Sequence, residues 1–426
     1  MPLVFPEGFL FGVATSAHQV EGNNRNNDWW EWEERGRVPY RSGLACNHWE
    51  LYPRDIELMS KLGVRAYRFS VEWSRIYPSR GSEDPSALER YHDIVRELLR
   101  HAIEPVVTLH HFTNPRWFVE LGGWLREENL RYFIDYVDVV VSELREVRLW
   151  VTVNEPVINA VTGYLQGIWP PGLRSPLKAG RFLVNIYKAH VEAASIVRER
   201  GGLAGLAKHL IDFRASRGLL GGVAFRRVED LVNWSFLDAM WTGTLRLPLG
   251  RARVPTLEPS FIGVNYYTCM EAGFSWKPST LFLDVRPVKT GEPTTMGYHS
   301  CPHSLYRVLV RLWERYGKPI YVTENGIATP DDEARVRFIV RHLQCLHKAL
   351  EEGVDVEGYF YWSLMDNFEW DKGYTQKFGL VEVDPETLER RPRRSAYIYG
   401  AIARSRSASN DLLSHYGAAS CGGRTT

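Results

Sequence analysis

Apolar residues along the 426-residue chain fall into two alternating periodicities. Short, almost continuously apolar runs predict strands at 9–16, 65–70, 104–110, 149–154, 203–208, 261–266, 320–323 and 358–364. Between them, "PRDIELMSKLG", "ALERYHDIVRELLRHAI", "NLRYFIDYVDVVVSELREV" and "ARVRFIVRHLQCLHKALEEG" carry apolar residues at three- and four-residue spacing, as amphipathic helices do. The last of these ends on a glycine suited to a helix C-cap. Strands that are apolar on both faces and alternate with helices belong to a parallel sheet covered on both sides. Eight of them predict an α/β fold, a single closed (β/α)8 barrel spanning 1–402. The intervals between strands are long and uneven, so several βα loops carry inserted substructure. The remainder, 403–426, is rich in Ser and Gly, loses the periodicity and reads as a largely irregular tail with room for one short helix.

Two of these strands run straight into a carboxylate. "LWVTVNEP" puts Glu155 at the end of the fourth, and "IYVTENG" puts Glu324 at the end of the seventh. Barrel enzymes carry their chemistry at the C-terminal ends of strands. The fourth and seventh strands stand across a closed barrel, so Glu155 and Glu324 are expected to face each other at its mouth. Opposed carboxyls suit glycoside hydrolysis, where one protonates the leaving oxygen and the other meets the anomeric carbon. A lone glutamate there reads equally well as a helix cap or an arginine partner. Two in near-identical contexts favour the catalytic reading.

Composition narrows the partners. The balance of 52 basic against 51 acidic residues gives a net charge of +1, which disfavours a nucleic-acid groove or an anionic-membrane patch. No run approaches the ~18 apolar residues of a membrane span. The start, "MPLVFPEGFLFG", lacks the basic segment and unbroken apolar core of a signal peptide. Five scattered cysteines (Cys46, Cys269, Cys301, Cys345, Cys421) without a CxxC pattern are expected to be reduced, packed thiols of a cytoplasmic protein. The 15 Trp and 21 Tyr residues cluster beside polar ones, as in "NNDWWEWEE" and "YWSLMDNFEW", and so suit a cleft for sugars.

Longer motifs follow in a fixed order: "FLFGVATSAHQVEG", "CNHWELYPRDIELMSKLGVRAYRFSVEWSRIYP", "VTLHHF", "TVNEP", "FIGVNYYT", "VTENG", "YWSLMDNFEWDKGYTQKFGLVEVD" and "RRPRRSAYIYG". Together they resemble the family 1 glycoside hydrolases, retaining β-glucosidases and β-galactosidases, over nearly the whole chain to Ile402. The likeness is greatest to compact archaeal β-glucosidases. The resemblance implies that Glu155 is the general acid/base and Glu324 the nucleophile, with Arg68 and Tyr267 in contact with Glu324 and Asn265 supporting the site. It implies that Asn154 holds the sugar 2-hydroxyl, and that Gln19, His111, Trp362, Glu369 and Trp370 line the pocket for the non-reducing sugar. Glu155 should then be raised in pKa by burial or by the charge of Glu324, so as to remain an acid. A β-glycoside is the expected partner, with no metal and no cofactor, and a homo-oligomer is compatible with this reading.

Some choices stay open. Glu369 disfavours a 6-phosphosugar and suits both glucosides and galactosides. A β-mannosidase preference, or the same site acting mainly in transglycosylation, fits the residues too. A metallohydrolase using His110 and His111 is disfavoured because neighbouring strand residues point to opposite faces. The weakest likeness lies on the leaving-group side. There Phe274, Trp276, Leu281 and Phe282, with Ile168 and Trp169, read either as loop packing or as an apolar channel favouring alkyl or aryl aglycones.

Overall fold

The computed structural model describes residues 2–277, 280, 282–417 and 421. Its centre is a closed barrel of eight parallel strands: β1 (Leu10–Ala14), β2 (Ala66–Ser70), β3 (Glu104–His110), β4 (Leu149–Asn154), β5 (Leu203–His209), β6 (Ile262–Tyr266), β7 (Ile320–Asn325) and β8 (Val356–Trp362). Each strand pairs with its sequence neighbours, and β8 closes on β1 through Gly358↔Leu10 to Trp362↔Ala14. All eight predicted strands are present. The seventh extends two residues beyond 323, so Glu324 lies inside the strand rather than after it.

The helices named by periodicity are α1 (His48–Leu62), α2 (Pro85–Arg100), α3 (Leu130–Glu143) and, after β7, Asp332–Glu351. Their limits follow local chemistry. The Asp84 side chain accepts from the Ser86 and Ala87 N–H groups, and Pro85 occupies the first turn, where its missing donor costs nothing. Asp331 does the same for the Asp332 helix. One large apolar cluster fills the space between barrel and helices, with Ile56, Tyr91, Val140, Ile186, Leu309 and Ile339 among its buried members. A smaller cluster, including Ala14, Ala66, Val151, Ala207 and Phe360, packs against the strands separately.

Two expectations need correction. The segment after 402 is not a loose tail in its described part. Ser407–Ala408 pairs antiparallel with Leu3–Val4, and the helix Asn410–Tyr416 docks Tyr416 against Val336 and Val340. Apolar anchors spaced for one helix turn sufficed to fix it, whatever the surrounding Ser and Gly. Residues 418–420 and 422–426 of that segment lie outside the described residues. The cysteines are not all thiols either. Cys269 is bonded to Cys301 and Cys345 to Cys421, with Cα atoms 5.9 and 5.3 Å apart. Partners 32 and 76 residues apart meet only through the tertiary fold, so no spacing pattern announced them. Cys46 alone remains a buried thiol, and burial pushes its pKa up.

The seam between the first and last units is held by charge. Asp55 of α1 accepts from Arg390 Nε at 2.7 Å, from Arg390 Nη2 at 3.0 Å and from His48 Nδ1 at 2.8 Å, all inside the protein. Burial acts to raise the Asp55 pKa, but His48 and Arg390 outweigh it and hold the carboxyl below its ordinary value. A depressed carboxyl adds stability above its unfolded pKa and loses it as pH falls through the folded one. Asp55→Asn leaves Arg390 buried without a counter-charge and should cost about 3–5 kcal/mol. Denaturant unfolding at neutral pH checks this, and the deficit of the variant should shrink as the pH is lowered into the acid range.

Candidate active site

The C-terminal ends of the strands surround a cleft of about 230 Å3. Its walls include Gln19, His111, Asn154, Glu155, Tyr267, Glu324, Trp362, Glu369 and Trp370, so nine of the expected residues share one cavity. Arg68 and Asn265 lie beneath them, fully buried.

Local backbone chemistry aims the two glutamates. Glu155 leaves β4 in the left-handed region (φ 43°, ψ 53°), between the strand and a short helix that Pro156 begins. That conformation is unfavourable for a residue with a side chain and persists only where the surroundings impose it. Here the Glu155 N–H donates to Ala207 O of β5 at 2.8 Å. Glu324 is followed by Gly326, at which a Cβ would lie 1.7 Å from Trp362 O. Only glycine lets β7 end flush against β8.

Arg68 connects the two glutamates. Its Nη1 donates to Glu324 Oε1 at 2.6 Å, its Nη2 to Asn154 Oδ1 at 2.8 Å and its Nε to Thr108 Oγ1 at 3.0 Å. Tyr267 donates its hydroxyl to Glu324 Oε2 at 2.7 Å. The Asn265 amide donates to Asn154 Oδ1 at 3.1 Å and to Glu155 Oε1 at 2.7 Å, and is itself fixed by the Thr323 hydroxyl. An unbroken chain of hydrogen bonds thus runs from Glu324 through Arg68, Asn154 and Asn265 to Glu155.

The charge of Glu155 acts on Glu324. At Glu155, burial acts to raise the pKa, but the charge and hydrogen bond of His209, the Asn265 amide and the Lys208 ammonium outweigh it and leave the carboxyl lowered. At Glu324, burial outweighs Arg68 and Tyr267, the charge of Glu155 adds to it, and the carboxyl is raised to about 7. This reverses the expectation that Glu155 is the raised acid. The unforeseen factor is His209, whose Nδ1 stands 3.2 Å from Glu155 Oε1.

The other expected residues are placed as follows. Gln19 donates to Glu369 Oε2 at 3.1 Å, to Asn367 Oδ1 and to Phe368 O. Burial first, then the charge of Glu324, raises Glu369 to about 8. His111 stacks on Trp362 and Trp370, accepts at Nε2 from Asn154 Nδ2 over 3.2 Å, and keeps a buried Nδ1 without a protein partner. His110 turns the other way, onto Trp124 and Phe133, with Nε2 on Asn114 Oδ1. The two histidines therefore do not converge on one point. Among the described residues no group of three or more His, Cys, Asp or Glu side chains is arranged to hold a metal ion.

The leaving-group side differs from expectation. Trp169 lines the cleft, but Phe274, Trp276, Phe282 and Ile168 do not, and Leu281 lies outside the described residues. The strand Cys269–Phe274 pairs with Leu283–Pro287 as a hairpin that runs outward, and Trp276 is 82% exposed. Ile158, Met270, Met296 and Tyr298 line the cleft as well. His209 was missed as well, although it ends β5 and the rule that strand ends line the mouth would have found it.

The sequence profile of "Glycosyl hydrolase family 1" matches residues 1–213 and 256–408. The chain belongs to that family. It is a β-glycosidase built on the family's barrel, and the unmatched residues 214–255 hold the helical insertion after β5. A solved β-glycosidase from Pyrococcus horikoshii is 49% identical, with a TM-score of 0.95 over 98% of this chain and 99% of that one. The β-glucosidase from Thermotoga maritima in complex with glucoimidazole is 32% identical, with a TM-score of 0.88 over 94% and 99%. A 6-phospho-beta-galactosidase from Staphylococcus haemolyticus is 31% identical over 94% of this chain and 98% of its own length.

Proposed function

We propose that the enzyme is a retaining exo-β-glycosidase, acting on terminal non-reducing β-glucosides and also β-galactosides, with Glu324 as nucleophile and Glu155 as acid/base. The observation that carries this assignment is the asymmetry of their partners. Glu324 is held by a fixed guanidinium and a phenol, which suit the charge it must bear. Glu155 takes its two donors on Oε1 and receives no hydrogen bond on Oε2 from any described residue.

In the first step Glu324 attacks the anomeric carbon, the bond to the leaving oxygen breaks, and the Glu155 Oε2 proton passes to that oxygen to release the alcohol. In the second, water attacks the anomeric carbon, the ester to Glu324 breaks, and the water proton goes to Glu155 Oε2. Each cycle needs one proton on the pair. In the empty cleft it is favoured on Glu324. A bound glycosidic oxygen gives Glu155 an acceptor and shifts the proton there. The Asn154 amide, its oxygen committed to Arg68 and Asn265, presents N–H to the 2-hydroxyl, a contact that strengthens with oxocarbenium character.

Trp362 and Trp370 flank the sugar, and Gln19, His111 and Glu369 bind its hydroxyls. The buried Nδ1 of His111 supports this role, since a sugar hydroxyl would satisfy it. Lys372, the only lysine among the described residues that line the cleft, is half exposed and paired with Asp371, which leaves a 6-phosphate poorly served and favours an unphosphorylated sugar. Leaving groups meet Ile158, Met270, Met296 and Tyr298, so alkyl and aryl aglycones are preferred over polar ones. No helix among the described residues is long and apolar enough to cross a membrane. A cytoplasmic location belongs to this reading.

A 2-deoxy-2-fluoro-β-glucoside with an activated leaving group should leave a stable adduct, and peptide mapping should place it on Glu324. Adduct on another carboxylate would remove the assignment. For the aglycone, each methylene buried in the transition state is worth about 0.8 kcal/mol, or roughly fourfold in kcat/KM. An n-alkyl β-glucoside series should climb and then level off, Met296→Ala should flatten the climb, and Trp276→Ala should not. A flat series in the parent enzyme would leave the wall without a binding role.

A further inference from the structure

His209 ends β5 beside Glu155 and belongs to none of the roles assigned above. Its Nδ1 lies 3.2 Å from Glu155 Oε1, the same oxygen that the Asn265 amide holds at 2.7 Å. Its ring stacks on Tyr267, centroids 5.8 Å apart and planes 16° apart, and Tyr267 is the donor to Glu324. Its backbone is pinned in turn, because the buried Lys208 ammonium donates to His209 O at 2.8 Å. A ring stacked on one side, anchored through its backbone and lining the cleft is a preorganised donor.

Oε1 of a carboxylate can accept from both neighbours only if Nδ1 carries a hydrogen. A hydrogen on Nδ1 makes His209 a donor to Oε1. With Oε1 occupied by two N–H groups, proton gain and loss are confined to Oε2. We propose that His209 is the positioning residue of the acid/base: its Nδ1–H reserves Glu155 Oε2 for proton transfer and stabilises the carboxylate form that serves as base in the second step.

This inference rests on the reading of Glu155 as acid/base. The groups facing Glu155 are Lys208 and His209 from β5, Tyr267 after β6, Glu324 from β7 and, from the loops, Tyr298 and Glu369. In the glycosyl-enzyme Glu324 is esterified and uncharged, so the charge interaction between the two carboxyls is absent there. The lowering influence of His209 on Glu155 remains.

The test uses 2,4-dinitrophenyl β-glucoside, whose leaving group needs little protonation, so that breakdown of the glycosyl-enzyme limits kcat; a pre-steady-state burst verifies that condition. In His209→Ala the acid limb of kcat should move up by roughly half a unit to one unit, and kcat on that limb should fall about three- to tenfold. kcat/KM for the same substrate, which reports the first step, should change less than about threefold. Azide, which needs no base, should restore kcat in His209→Ala and yield the β-glucosyl azide. His209→Asn places an amide N–H where Nδ1 stands and should return the limb most of the way.

Equal losses in kcat and kcat/KM with an unmoved limb would make His209 merely structural and overturn the proposal. So would an unchanged His209→Ala enzyme, or a His209→Asn variant as shifted as His209→Ala. Glu155→Ala serves as the control. If azide fails to rescue it, the acid/base reading itself falls; if azide rescues it while His209→Ala behaves as the parent, only the role of His209 falls.

Discussion

The site depends on one buried guanidinium. Arg68 sits inside the barrel with no exposed surface and spends its donors on β3, β4 and β7 at once, through Thr108, Asn154 and Glu324. A charge so deeply buried is tolerable only with a counter-charge and with its remaining N–H groups satisfied. The barrel meets both conditions by bringing a carboxylate and an amide to the ends of strands that stand apart in sequence. Arginine's rigid fork, unlike lysine's single ammonium, can serve both partners in fixed directions. The geometry of the cleft and the stability of the barrel mouth are thus one constraint.

That constraint underlies the division of labour proposed for the carboxyls. Glu324 accepts hydrogen bonds on both oxygens, from Arg68 and Tyr267. Glu155 is tied on one oxygen, to the Asn265 amide and the His209 imidazole, and no described residue donates to its other oxygen. Burial pushes against charge at both, and at Glu324 it wins, leaving the carboxyl at about 7.

Much of this was legible in the chain. Apolar strands alternating with amphipathic helices call for a parallel sheet covered on both faces, eight such units suit a closed barrel, and all eight strands lie where the pattern put them. Glu155, Glu324 and the contacts of Arg68 and Tyr267 followed from strand ends and motif likeness. What escaped depended on tertiary proximity. Cys269 and Cys301, or Cys345 and Cys421, carry no local sign of their pairing. The tail holds the one short helix it had room for, Asn410–Tyr416, but its docking against Val336 and Val340 carries no local sign. The direction of the hairpin after β6 is set by pairing with Asp212–Ala215, a register that hydrophobicity does not encode, and it carries Trp276 away from the cleft. The pKa order of the two glutamates escaped because His209 acts on Glu155 only through space.

The central claim is that Glu324 forms a covalent intermediate and Glu155 serves both halves of the reaction, and its most direct consequence is stereochemical. Two displacements at the anomeric carbon restore its configuration, whereas a single attack by water inverts it. Hydrolysis of an aryl β-glucoside, followed by 1H NMR before mutarotation, shows which anomer forms first. The account predicts that the β-anomer of glucose forms first and the α-anomer grows in only later; an α-anomer formed first would contradict it.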